Sequence, residues 1–200
     1  MIIALDVDDV VLDMIGHYTN VLKRMGYWRG VDNKAWCLKQ RYELTDEEFK
    51  QTWQEALLGF STLELVQGAK EYLQYIDTLQ PKYQVVFVTA VDKSRYQDRI
   101  DNLQMRLADD VNFIKERKFD LICTGEYSSK KEALKLLRPV LFVDDRLQNH
   151  YDVKDAAFDK IYVDHDNYHE PHLQEMKQSK NFHIATNMSE VMDKTIEILE

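Results

Sequence analysis

Five short apolar runs constrain this chain more than anything else in it: Ile2 to Leu5, Val85 to Val88, Leu121 to Cys123, Leu141 to Val143 and Ile161 to Val163. Each is too short for a helix and reads as a buried strand. Segments with helical spacing lie between them, with Val66, Ala69, Leu73 and Ile76 before the second run and Ala133, Leu134 and Leu137 before the fourth. Strands alternating with helices predict an α/β fold, a Rossmann-like parallel sheet between two helical layers in an α/β/α sandwich. The residue after each run is polar: Asp6, Thr89, Thr124, Asp144 and Asp164 all stand where a strand hands over to a loop. Open parallel sheets bind ligands at that edge, so these five are the first candidates for a site.

The first crossover is anomalous. Residues 6–84 connect the first two runs, where a βαβ connection needs only about a dozen residues. Within that stretch Val11, Ile15, Tyr18, Leu22 and Met25 form a helical stripe ended by Gly26. A second helix opens at a capping box, Thr45 to Glu48, carries Phe49, Trp53 and Leu57 on one face, and stops at Gly59. Residues 13–66 therefore read as a small helical cap inserted after the first strand, with residues 1–12 and 67–200 forming the α/β core. The chain returns to that core near Gly68.

Two hundred residues fit one such core with its insertion and leave no room for a second catalytic domain. The 26 lysines and arginines face 35 acidic residues, a net charge of −9, which argues against extended binding of a nucleic-acid backbone. No apolar stretch approaches the ~20 residues of a membrane span, and the sequence opens on a strand rather than an export signal, so a cytoplasmic location is expected. Cys37 and Cys123 have no partner arrangement of a metal knuckle or disulfide framework, and Cys123 reads as a buried, inert thiol.

The chemistry lies in the carboxylates. The first run ends in Asp6-Val7-Asp8-Asp9, and two carboxylates at i and i+2 past a strand can face one pocket. Like charges packed so closely repel, which a cation relieves. Asp144-Asp145 supplies a second acidic pair after another buried strand, and two pairs at one sheet edge suit Mg²⁺, a hard cation that takes carboxylate oxygens. Ser129 and Glu132 have the spacing of a capping box that puts Lys130 and Lys131 in the first turn of a helix. That turn already carries positive partial charge, so lysines there run against local preference. Either could hold an anionic phosphate. Thr89 offers a hydroxyl for phosphate oxygens or serves as a plain turn residue.

Taken in order, Asp6-x-Asp8 after one strand, Thr89 after a second, Lys130 in a K-x-E-x-L stretch and Asp144-Asp145 after a later strand resemble the four motifs of the haloacid dehalogenase superfamily. The match spans most of the chain. The resemblance implies that Asp6 is a nucleophile forming an aspartyl-phosphate, and that Asp8 is the acid and base. It implies that Thr89 and Lys130, with Lys131 as the alternative lysine, hold the phosphoryl group. Asp6, the Asp8 carbonyl, Asp144 and Asp145 would hold Mg²⁺ directly or through water. Asp9 stands where this family often has glycine, and Val10 where it often has threonine. An acid at Asp8 points to phosphoryl transfer to water rather than to dehalogenation.

An inserted helical cap resembles the type that covers the sheet edge in enzymes of small molecules, so the expected partner is a small phosphorylated metabolite. Among the cap aromatics Tyr18, Trp28, Trp36, Tyr42, Trp53 and Phe60, some could stack on a nucleobase, while Tyr18 and Trp53 fall on apolar stripes and read as core. The layout is also similar to 5'(3')-deoxyribonucleotidases, which implies a nucleoside monophosphate substrate. Rival readings are a phosphatase of sugar phosphates or of nucleic-acid 3'-phosphate ends, and a non-catalytic module that binds phospho-ligands. His165, His169 and His172, with Asp164, Asp166 and Glu170, surround Pro171 and read as a solvated loop rather than a transition-metal site.

Overall fold

The computed structural model of the chain describes residues 1–30, 35, 37–125, 128–165 and 171–200. Trp36, Asp166, Asn167, Tyr168, His169 and Glu170 lie outside them. In chain order the elements are β1 (Ile2–Leu5), α1 (Met14–Met25), α2 (Leu38–Arg41), α3 (Asp46–Leu57), α4 (Ala69–Thr78), β2 (Gln84–Thr89), α5 (Tyr96–Leu107) and α6 (Asn112–Lys115). They continue with β3 (Phe119–Cys123), α7 (Lys131–Leu137), β4 (Leu141–Asp144), α8 (Leu147–Tyr151), β5 (Asp159–Val163), α9 (Leu173–Met176), β6 (Phe182–Ala185) and α10 (Met188–Leu199).

All five apolar runs are strands of one parallel sheet with the order β3-β2-β1-β4-β5-β6. Alternation along each strand divides the core in two. Ile3, Leu5, Val85, Phe87, Leu141 and Val143 join one apolar cluster with residues of α4, α5 and α10. Ala4, Val86, Val88 and Phe142 point the other way, onto Leu134 of α7 and Val153. The result is the expected three-layer sandwich. The sixth strand was not legible, because His183 breaks the short run Phe182-His183-Ile184-Ala185; its ring reaches Asp159 on the neighbouring strand at 3.1 Å.

Chain order reverses between β1 and β4, which are neighbours although β2 and β3 come between them in sequence. Two strands whose connections leave in opposite directions open a crevice between their C-terminal ends. Asp6 N–H donates to the Val143 carbonyl at 2.9 Å, so the end of β1 is stitched to β4 at that point.

The long first connection carries α1, α2 and α3. Asp13 caps α1 by accepting from Gly16 N–H at 2.7 Å. Gly26, at φ 77°, closes the helix in the left-handed region that a missing Cβ makes accessible. The expected capping box at Thr45 and Glu48 is present. Tyr18 of α1 and Thr52 of α3, both fully buried, share a 2.7 Å hydrogen bond, while Tyr18 packs on Tyr42, Phe49 and Trp53. The ends of this stretch run side by side: Asp13 N–H donates to the Glu64 carbonyl, and Val66 N–H to the Val11 carbonyl, both at 2.9 Å. Val11 thus belongs to the turn after β1 and Val66 to the returning leg, and neither to the helix whose stripe it continues.

A stripe of polar residues on α5 holds the returning leg. Arg99 donates to the Phe60 carbonyl at 3.0 Å, and Asn102 pairs with both the N–H and the carbonyl of Leu63 at 3.0 Å each. Arg106 donates to the carbonyls of Thr62 and Leu63 at 2.8 and 2.9 Å.

Thr45→Ala removes the acceptor at the start of α3 and is expected to lower stability by about 1 kcal/mol, read as a reduced urea midpoint at unchanged slope.

Candidate active site

The loop after β1 is a tight turn. Val11 and Leu12 N–H groups both donate to the Val7 carbonyl, at 2.9 and 2.8 Å. Asp9 sits at φ 57°, a left-handed conformation that glycine adopts freely and that aspartate tolerates better than most residues. This explains how aspartate can stand there in place of glycine. Its carboxylate accepts from Ile15 N–H at 2.8 Å, tying the turn to the start of α1. Asp6 is held by its own neighbour, whose Val7 N–H donates to Asp6 Oδ1 at 2.6 Å.

Lys130 carries the site. Its side chain is fully buried, and Nζ lies 2.6 Å from Asp6 Oδ2 and 2.7 Å from Asp144 Oδ2. Burial would lower its pKa, but the Asp144 and Asp6 carboxylates overcome this and push it up. Lys131 is exposed, so of the two candidate lysines it is Lys130 that the fold brings to Asp6 and Asp144. The capping box expected at Ser129 and Glu132 is not formed. Lys130 occupies the N-cap position itself, Ser129 hydrogen-bonds Asp152, and Glu132 pairs with Lys135. The ion pairs with Asp6 and Asp144 draw Lys130 into the interior and out of the first turn.

Asp144 is fully buried, and its oxygens take four hydrogen-bond contacts from three donors. Oδ1 accepts from Arg146 N–H at 2.8 Å and Asn149 Nδ2 at 3.0 Å, while Oδ2 accepts from Lys130 and from the same Asn149 nitrogen at 3.0 Å. Its carbonyl accepts from His150 Nε2–H at 3.0 Å. Burial pushes His150 down to about 4, so the ring is neutral, and its Nδ1 has no hydrogen-bond partner among the described residues.

One ligand atom from each of Asp6, Asp144 and Asp145 can be chosen so that all three lie within 4.8 Å of one another, and all three residues are buried. Lys130 supplies one positive charge for them. Burial pushes the Asp6 carboxyl up to about 7; Lys130 pulls the other way, and Asp144 and Asp8 add to the rise. Asp145 is driven well above its ordinary value by burial and then by Asp9, Asp6 and Asp144. It accepts no hydrogen bond among the described residues, in contrast to Asp144. Closely packed carboxylate oxygens with too little positive charge fit a hard divalent cation.

The Asp8 carboxylate faces a second cation that sequence reading missed. Oδ1 lies 2.5 Å from an Arg99 guanidinium nitrogen, and Oδ2 accepts from the Thr89 hydroxyl at 3.1 Å. Asp6 and Asp8 thus each have a cation of their own, Lys130 on one and Arg99 on the other. Arg99 gave no signal, because a single arginine beside the apolar positions Ile100, Leu103 and Leu107 looks like any solvated flank of a helix. Thr89 is fully buried, and its hydroxyl is engaged with Asp8. Thr124 and Asp164 also sit at this edge, where they continue strand pairing: Thr124 N–H donates to the Thr89 carbonyl and Asp164 N–H to that of Ala185.

A cavity of about 180 Å³ opens above these groups. Asp6, Asp8, Asp9, Asp145, Arg146 and Asn149 form its polar floor. Met14, Ile15, Leu38, Phe49, Trp53, Phe60, Ala90 and Val91 form its walls, with Cys37 at the side. Tyr18 is core as expected, but Trp53 also faces the cavity, with Phe49 stacked on it at 17° and Phe60 edge-on at 90°. His165 is not a free loop residue: its Nε2–H donates to the Asp9 carbonyl at 2.5 Å, and His172 stacks on Tyr151.

No family model and no curated protein matches the sequence. Solved structures do match the fold. A haloacid dehalogenase-like family hydrolase from Streptococcus pneumoniae superposes with a TM-score of 0.59 at 16% identity, covering 97% of each chain. A haloacid dehalogenase-like family hydrolase from Xanthomonas campestris gives 0.57 at 12%, covering 99% of this chain and 95% of its own. A predicted phosphoglycolate phosphatase from Haemophilus somnus gives 0.55 at 18%, covering 97% of each. The chain has the haloacid dehalogenase-like fold. Within that fold, the residues picked out by their order in the sequence, Asp6, Asp8, Thr89, Lys130, Asp144 and Asp145, all gather at the crevice between β1 and β4 and along β2 beside it. Among the described residues no helix is long and apolar enough to cross a membrane.

A raised Asp6 pKa has a measurable consequence. An unfolded aspartate releases its proton near 3.8 and the folded one near 7, so the folded chain holds the extra proton between those values. Stability from the protonated carboxyl is complete below about pH 4 and is lost as pH rises through about 7. A divalent cation on the ionised cluster opposes that loss. MgCl₂ is expected to raise the melting temperature more at about pH 8 than at about pH 5, and Asp145→Asn to abolish the gain. Scanning fluorimetry checks both; equal gains at the two pH values would count against the cluster as a cation site.

Proposed function

We propose that the protein is a Mg²⁺-dependent phosphomonoester hydrolase that works through an aspartyl-phosphate on Asp6. The observation that carries this reading is the buried ammonium of Lys130 bridging Asp6 and Asp144 at the crevice, with Asp145 completing an acidic cluster beside an open cavity. An aspartate so placed has one oxygen held by Val7 N–H and the other by Lys130, and it lines the cavity. Likeness in fold to hydrolases, one of them described as a phosphatase, is consistent with it.

In this reading the Asp6 carboxylate attacks phosphorus, the bond from phosphorus to the leaving oxygen breaks, and Asp8 gives that oxygen a proton. Water then attacks the phosphoryl-aspartate, loses its proton to Asp8 and frees phosphate and Asp6. Lys130 stabilises charge on the transferring group, with Thr89 beside it. Asp6 and Asp145, whose oxygens retain open lone pairs, and the Asp8 carbonyl are the direct ligands we assign to Mg²⁺. Asp144, with both oxygens engaged by Lys130, Arg146 N–H and Asn149, orients Lys130 and the loop that carries Asp145. Mg²⁺ when bound supplies the positive charge that lets an anionic nucleophile meet an anionic substrate.

The cavity walls bear on the substrate, and residues 13–66 act as the cap that supplies most of them. Sugar hydroxyls pressed against Met14, Ile15, Phe49, Trp53 and Phe60 would lose water without gaining partners, at about 1–3 kcal/mol for each orphaned group. A leaving group with a flat apolar face loses nothing there and can stack on the rings. This favours a small phosphorylated metabolite such as a nucleoside or deoxynucleoside monophosphate over a sugar phosphate. The side walls also favour a mononucleotide over the 3'-phosphate end of a nucleic acid.

Phosphate release from a panel of nucleotides, sugar phosphates and a 3'-phosphorylated oligonucleotide, with and without Mg²⁺, tests the reading. Turnover of mononucleotides is expected, with Asp6→Asn reducing it at least about 10³-fold. Sugar phosphates turned over alone would overturn the substrate class. Equal rates for wild type and Asp6→Asn would leave a non-catalytic phospho-ligand module as the better account.

A further inference from the structure

Arg99 is the largest fully buried side chain among the described residues, and the motifs that suggest phosphoryl transfer do not include it. A buried guanidinium is costly unless each face is used. One terminal nitrogen lies on Asp8 Oδ1 at 2.5 Å, the other donates to the Phe60 carbonyl at 3.0 Å, and the guanidinium carbon stands 4.3 Å from the Phe60 ring centroid. Its Nε has no partner among the described residues. Among the described residues its polar and ring contacts are thus with the carboxylate of Asp8 and with the backbone and ring of a residue in the cavity wall. The Thr89 hydroxyl fixes the remaining Asp8 oxygen at 3.1 Å.

From this geometry we infer that Arg99 is a positioning residue: it sets where the Asp8 carboxylate stands relative to the leaving group by tying it to the cavity wall at Phe60. The inference rests on the proposed phosphatase activity. A carboxyl on a short side chain at the end of a turn can rotate away from the cavity. Two donors that differ in origin, one from the end of β2 and one from α5, hold both its oxygens at once. Phe60 meanwhile lines the space in which the leaving group lies, so the same guanidinium refers the proton-carrying group to the wall that the leaving group touches. A displacement of fractions of an ångström in such a group is enough to slow proton transfer.

A purely structural arginine would affect all substrates alike, and a positioning residue for the acid would not. An alkyl phosphate needs its leaving oxygen protonated, whereas dinitrophenolate departs without a proton. In the first turnover of Arg99→Met, before the attack of water on the phosphoryl-aspartate that both substrates share, release of the alcohol from an alkyl phosphate should slow at least roughly tenfold more than release of dinitrophenolate from dinitrophenyl phosphate. Arg99→Lys, which keeps a cation in the same space, should lie between Met and wild type. In an Asp8→Asn background the extra alkyl penalty of Arg99→Met should vanish, because the group it positions is gone. Melting temperatures identify any variant that fails to fold, and Arg99→Lys then carries the comparison. Equal losses on both substrates, or a penalty that persists beside Asp8→Asn, would overturn the positioning role while leaving the phosphatase reading intact. No turnover of any substrate by the wild type would instead overturn the phosphatase reading.

Discussion

One buried ammonium joins the two halves of the sheet at the crevice between β1 and β4. Lys130 comes from the connection between β3 and β4, yet it closes on Asp6 after β1 and on Asp144 at the end of β4. Interior ion pairs add little net stability, because desolvation of the charges offsets most of their attraction. Losing one partner is another matter: without the lysine, two carboxylates would face each other away from water. The arrangement therefore specifies more than it stabilises. It dictates that the ends of β1 and β4 stay in register, that Asp6 points into the crevice, and that further positive charge is welcome there.

The cavity above this point separates two kinds of physics. Its floor is made of carboxylates crowded enough to demand cations, and its walls are made of rings and aliphatic side chains that reject them. On the proposed reading, with a cation held on that floor, the matching ligand is amphipathic, with a compact anionic end and a body able to lie against aromatic faces. The long connection after β1 contributes the apolar part through α1, α2, α3 and the leg at Phe60. The sheet contributes the charged part.

Much of this was written in local sequence signals. Strand runs such as Leu141-Phe142-Val143 carry their own periodicity, and polar residues at their ends mark the ligand-binding edge without any knowledge of the fold. The boxes at Thr45 and Gly26 are short-range events, so they survive folding unchanged. What failed was decided at long range. The spacing Ser129 to Glu132 suggests a capping box, but a pair of carboxylates belonging to other strands overrode it. Arg99 and Asp8 are far apart along the chain, and nothing near either announces the other. His165 looked like loop chemistry until its ring met the Asp9 carbonyl. The edge strand β6 was missed for a milder reason: half-exposed strands tolerate polar residues, so its apolar run is interrupted.

The stripe Arg99, Asn102 and Arg106 on α5 grips residues 60–64 almost wholly through their main-chain atoms. A hold of that kind is indifferent to the identity of most side chains it spans. Substitutions along this leg can accumulate without loosening the joint, so the helices it leads back from are free to be remodelled while the sheet edge keeps its geometry. Divergence in what the chamber accepts can then proceed separately from whatever happens at its base.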